Sequence, residues 1–207
     1  MAFSEPENGI TRDDLVQRVA LMETMIAEGR QSTARFGWLF VLWGIVDLAG
    51  LTWQRRTQSN WVWPITIASG FLLQFIIFKL RHGREVGRST NLKARSVSAV
   101  WSMMGLAATL YSFTAIFSHD TWQVSYFAAI LMLVGLAHAT SAMILNWGAQ
   151  ALFAAIWWAG GVATFFLPRD YDMTLAVVEM VLGMIGFGLY AMWLERQRST
   201  AQVEHHA

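Results

Sequence analysis

Residues 122–145 read WQVSYFAAILMLVGLAHATSAMIL, 24 residues without a single Asp, Glu, Lys or Arg. A helix needs about 20 predominantly apolar residues to cross roughly 30 Å of hydrocarbon. Only Asn146 separates this run from a second, WGAQALFAAIWWAGGVATFFL at residues 147–167, so the two read as a tight helical hairpin. On either side, four more apolar blocks fall at Phe36–Trp53, Trp61–Leu80, Val97–Phe117 and Thr174–Glu195. A soluble helical protein would carry polar faces at 3.6-residue spacing, and these blocks have almost none. The alternation of barrel strands is missing too, and lipid then leaves only helices. The sequence predicts an all-α integral membrane bundle of six transmembrane helices. Residues 1–35 form a cytoplasmic segment with a short amphipathic helix, 36–195 the membrane domain and 196–207 a cytoplasmic tail.

Orientation follows from the basic residues. With the N-terminus inside, 12 of the 15 Lys and Arg fall on the cytoplasmic side, against Arg55, Arg56 and Arg169 outside. Both termini are therefore expected in the cytoplasm. Trp38, Trp53, Trp61, Trp63, Trp101, Trp122, Trp147 and Trp193 lie near block ends, as an interfacial aromatic belt requires. The polar, acidic start argues against a signal peptide. Arginine in excess over lysine, with many Ala and Gly, suggests a bacterial chain and hence the plasma (inner) membrane.

Composition removes whole classes of chemistry. The 207 residues are 55% hydrophobic and 14% charged, which excludes disorder and suits one domain. No cysteine is present, so disulfides, thiolate nucleophiles, Fe–S clusters and Cys-type zinc sites are all ruled out. A net charge of +1 offers no basic face for nucleic acid. The chain carries no GxSxG, HExxH or P-loop spacing, and an enzyme is not expected. Paired intramembrane histidines for haem are absent, since His138 stands alone. Neither cofactor nor metal is expected; His119, Asp120, Asp170 and Asp172 read as solvated loop residues.

Two cytoplasmic segments stand out. Over Thr11–Arg35, Leu15, Val19, Met22 and Ile26 recur at spacings of 4, 3 and 4, one apolar stripe on a helix. Its four Arg are balanced by Asp13, Asp14, Glu23 and Glu28, a poor match to a lipid-binding basic helix. Such a helix either packs along the bundle or docks a cytoplasmic protein or a second copy. The loop RHGREVGRSTNLKARS, residues 81–96, offers Arg81, Arg84, Arg88, Lys93 and Arg95 as candidate contacts for lipid head groups or phosphate. Holding that loop inside is the simpler role for the same charges.

The informative residues are those that cost free energy where they sit. Asp47, Gln74, His138 and Glu179 fall inside predicted spans, where a carboxylate costs about 2.5–3.5 kcal/mol on insertion scales. No Lys or Arg lies deep enough to pair with them. The two acids must be protonated, hydrated, paired with His138 or bound to a cation. At 1.5 Å per residue, Gln74 and His138 lie about 9–11 Å from the cytoplasmic end, Asp47 about 17 Å and Glu179 about 24 Å. Facing inward, the four make a ladder able to relay protons or hold a small polar or ionic species, for transport or sensing. The plainer alternative is a set of interhelical hydrogen bonds. At the level of the whole protein, the rival to transport is a membrane subunit or regulator that docks a partner through its N-terminal helix.

Overall fold

The structure, a computed structural model, describes residues 12–59, 61–82, 92–117 and 126–204. Over these residues the chain is helical, with α1 at Arg12–Arg35, α2 at Gly37–Thr57, α3 at Val62–His82 and α4 at Leu92–Phe117. There follow α5 at Tyr126–Leu145 and α6 at Gly148–Ala163. The last helix runs as α7 (Asp172–Glu179), a π-helical segment (Met180–Gly186) and α8 (Phe187–Glu204). Four stretches are long and apolar enough to span a bilayer: Arg12–Thr57, Val62–Leu80, Tyr126–Leu145 and Asp172–Gln197. Large apolar side chains face outward, and Leu72, Phe75, Leu136, Met143 and Leu189 are each more than half exposed. The interior is a largely apolar core that also holds buried polar residues, among them His138, Ser141 and Gln150. An apolar exterior, with polar side chains kept inside, suits a lipid bilayer.

The predicted hairpin at Asn146 is present. Asn146 adopts a left-handed φ of 46°, which an Asn tolerates better than most residues. The Trp147 amide then reaches back to the Ala142 carbonyl at 2.9 Å and closes the end of α5. α6 is shorter than the apolar run that encodes it. The helix covers 16 residues and ends at Ala163, where residues 147–167 were expected. Thr164 turns its hydroxyl onto the Gly161 carbonyl at 2.7 Å, and the Phe165 and Phe166 amides bond three residues back. Pro168 disfavours helical backbone at Leu167, so the chain tightens and leaves the helix before the apolar run is spent.

Glycines set the closest helix crossings. A Cβ at Gly188 would sit 2.6 Å from the Gly37 carbonyl oxygen, so α2 and α8 meet almost backbone to backbone. On the other side of α2, Trp43 and Val46 rest on Gly70 of α3, and Thr66 rests on Gly50. The C-terminal part of α1 packs against α4, α5 and α8. Its Gly29 receives the Leu145 side chain. Next to it, Arg30 donates from Nε to the Leu145 carbonyl at 2.9 Å and from Nη2 to the Asn146 carbonyl. A guanidinium thus satisfies carbonyls that the end of α5 leaves free, and it sits at the negative end of the helix dipole.

Candidate functional site

The inner part of the bundle is built around His138. The imidazole is fully buried and ringed by aromatic groups from four other helices. Phe40 of α2 lies 5.8 Å away, Trp101 of α4 at 4.9 Å, and Phe187 of α8 at 4.8 Å between ring centroids. From α6, Phe153 and Trp157 stand at 6.3 Å and 6.4 Å. Hydrophobic patterning brings these rings inward, and Phe187 with Trp157 completes the core with no exposed surface. Neither nitrogen of His138 has a hydrogen-bond partner among the described residues.

Other polar atoms in the same interior are in the same condition. Ser141 lies one turn beyond His138 on the buried face of α5, and Gln150 one turn before Phe153 on α6. Both are fully buried. The Ser141 hydroxyl, both amide atoms of Gln150 and the indole nitrogens of Trp101 and Trp157 find no partner among the described residues. A buried polar atom without a hydrogen bond costs about 1–3 kcal/mol, and most native ones are satisfied. Five such side chains, on α4, α5 and α6, require a reason. Together they offer amide, hydroxyl and indole donors beside amide and imidazole acceptors, with no fixed positive charge among them.

Glu179 sits farther out, at the junction of α7 and the π-helical segment. Its side chain lies directly over Gly160 of α6, and Trp157 of α6 lies over Gly183 in return. Each helix therefore pushes one large side chain into a glycine notch on the other. Glu179 is buried, and its Oε2 has no hydrogen-bond partner among the described residues. The adjoining π-helical turn is a departure that often marks functional positions.

The remaining predicted residues occupy separate surroundings. Gln74 accepts a hydrogen bond from the Trp43 indole at 2.8 Å, which ties α3 to α2. Asp47 of α2 is half-buried and within electrostatic reach of Tyr126 at the start of α5. Tyr126 in turn shares a hydrogen bond of 3.0 Å with Ser112 and stacks on Tyr111 at 5.7 Å. Among the described residues, no hydrogen bond or ion pair joins any two of Asp47, Gln74, His138 and Glu179. Of the basic loop, Arg84 and Arg88 lie outside the described residues and Arg81 falls in the last turn of α3. Arg95 is exposed on the first turn of α4, and Lys93 is half-buried beside Gly29. No group of three metal-ligating side chains comes together among the described residues.

Ser141 and Gln150 are not singled out by the sequence, and Trp101, which reads there as part of the interfacial belt, instead packs its ring on buried His138. Gln150 stands three residues inside its apolar block, where a polar side chain reads as interfacial. The usable signal was Ser141 at i+3 from His138, on one face of one helix. Compared with known proteins, the chain matches no family model, no curated protein and no solved structure at a significant level.

Proposed function

We propose that this chain is a six-span protein of a bacterial plasma membrane, with both termini cytoplasmic, whose bundle interior binds a small polar species in transport or sensing. The positive-inside distribution of Lys and Arg supports the topology. One observation carries the binding reading: His138, Ser141, Gln150, Trp101 and Trp157 keep polar atoms without partners deep inside the bundle. A guest that both donates and accepts hydrogen bonds matches that inventory. Asp47 and Glu179 are the acidic groups toward the outer side, positioned to take up a proton or a cation as the species passes or is sensed. Gln74 serves instead as an interhelical tie through Trp43.

The test is native mass spectrometry of the full-length protein in lipid nanodiscs, comparing wild type with a Ser141→Ala, Gln150→Met double variant. The expected wild-type spectrum carries a small polar species that the variant lacks. Identical, guest-free masses for both would refute binding in the core. If Asp47→Asn with Glu179→Gln retains the guest and its exchange rate, the acids take no part.

A further inference from the structure

The N-terminal half of α1 is not buried by the described residues of the bundle. Every residue from Arg12 to Thr24 is exposed, and Leu15, Val16, Val19 and Met22 are each more than half exposed. The other end of the same helix is clamped by Gly29 and Arg30. A free helical segment of about 13 residues is marginal in water, and five exposed large apolar side chains, Leu21 being the fifth, make it a surface in want of cover.

The stripe itself specifies what covers it. Spacings of 4, 3 and 4 from Leu15 through Val19 and Met22 to Ile26 are a d-a-d-a heptad pattern. Val19 and Ile26 then occupy a positions, while Leu15 and Met22 occupy d. β-branched residues at a, with Leu at d, favour two parallel strands. In this register Arg18 falls at g and Glu23 at the next e, the pair that meets across a parallel two-stranded coiled coil. A centred antiparallel pair sets Arg18 near Met25 and Glu23 near Val16, leaving both charges unmatched. The segment is nearly neutral, so charge does not draw it to an anionic membrane surface.

We infer that the occupant of this stripe is the α1 helix of a second copy of the chain, paired in parallel through Leu15, Val19 and Met22 with Arg18–Glu23 bridges on both flanks. Copies inserted in one bilayer present α1 on the same side, and that tether raises the effective concentration enough to offset so short a coil. The pairing is independent of the polar core and of any guest it binds.

The chain has no cysteine, so one introduced thiol reports its own contacts. Full-length Val19→Cys in native membranes is expected to form an intermolecular disulfide on mild oxidation. Gln17→Cys, on the far side of the helix, is expected to give at least tenfold less. In the Val19→Cys background, Arg18→Glu or Glu23→Arg turns two symmetric attractions into repulsions and lowers association about tenfold. Combining Arg18→Glu with Glu23→Arg restores it. All of these positions are exposed, so the bundle folds regardless. Equal crosslinking at residues 17 and 19, none at 19, crosslinking of 19 to a different protein, or a double reversal that stays weak would each overturn the pairing.

Discussion

Replacing Gln150 with Met separates a filled interior from a bare one by the sign of the effect. Both polar atoms of this side chain lack partners, and the residue has no exposed surface. Were they bare against apolar walls, each would cost about 1–3 kcal/mol. Met keeps the length and removes both, so the variant of a bare core would be more stable by at least about 2 kcal/mol. If the amide holds a polar guest, the variant loses two hydrogen bonds of about 0.5–1.5 kcal/mol each and becomes less stable by about 2 kcal/mol. For a chain of this size that amounts to a fall of about 4–8 °C in melting temperature. Intrinsic fluorescence of the 11 tryptophans, followed during heating in nanodiscs, reads the transition directly. Ala151→Met, on the exposed neighbour, controls for the added side chain. We expect Gln150→Met to melt lower than wild type, with the control unchanged. A Gln150→Met protein that melts higher would refute a guest in the core and make these polar atoms an unrelieved cost.

Three further outcomes test the architecture. Arg30→Met removes two charge-assisted hydrogen bonds to the end of α5 and is expected to weaken α1 docking by about 2–3 kcal/mol; faster amide exchange across residues 25–35, with α5 unchanged, checks it. Gly188→Ala forces α2 and α8 apart where their backbones touch, at a cost of about 1–3 kcal/mol, whereas Gly148→Ala, with open space around it, should melt like wild type. Trp43→Phe strands the Gln74 carbonyl oxygen and is expected to cost about 1 kcal/mol, and Trp43→Phe with Gln74→Leu should recover most of that loss in the same melting assay.

Hydrophobic run length made the helical class and most helix positions readable before any coordinates, because apolar blocks and bilayer thickness share one scale. Run length says nothing about where backbone geometry stops, and α6 ends four residues early because Thr164 and Pro168 act locally. The candidate site was legible only in part. His138 was found because an intramembrane histidine is costly, but its surroundings come from rings on four separate helices that no spacing rule connects. The inward ladder of Asp47, Gln74, His138 and Glu179 was inferred from depth alone. Depth does not fix azimuth, and Gln74 turns to Trp43, 31 residues away in the chain. Arg30 was legible as an inside-directing charge, whereas its grip on two backbone carbonyls depends on a turn encoded far downstream.

That grip has a temporal side. Arg30 and the Leu145 carbonyl are 115 residues apart, so α1 leaves the ribosome well before this anchor is made. During synthesis α1 can meet α4 first, and Arg30 has no carbonyls to hold until the chain has turned at Asn146. Its docking then registers that the hairpin is in place. A chain stalled before residue 146 leaves Arg30 without its carbonyls and Gly29 without the Leu145 side chain that covers it in the finished protein.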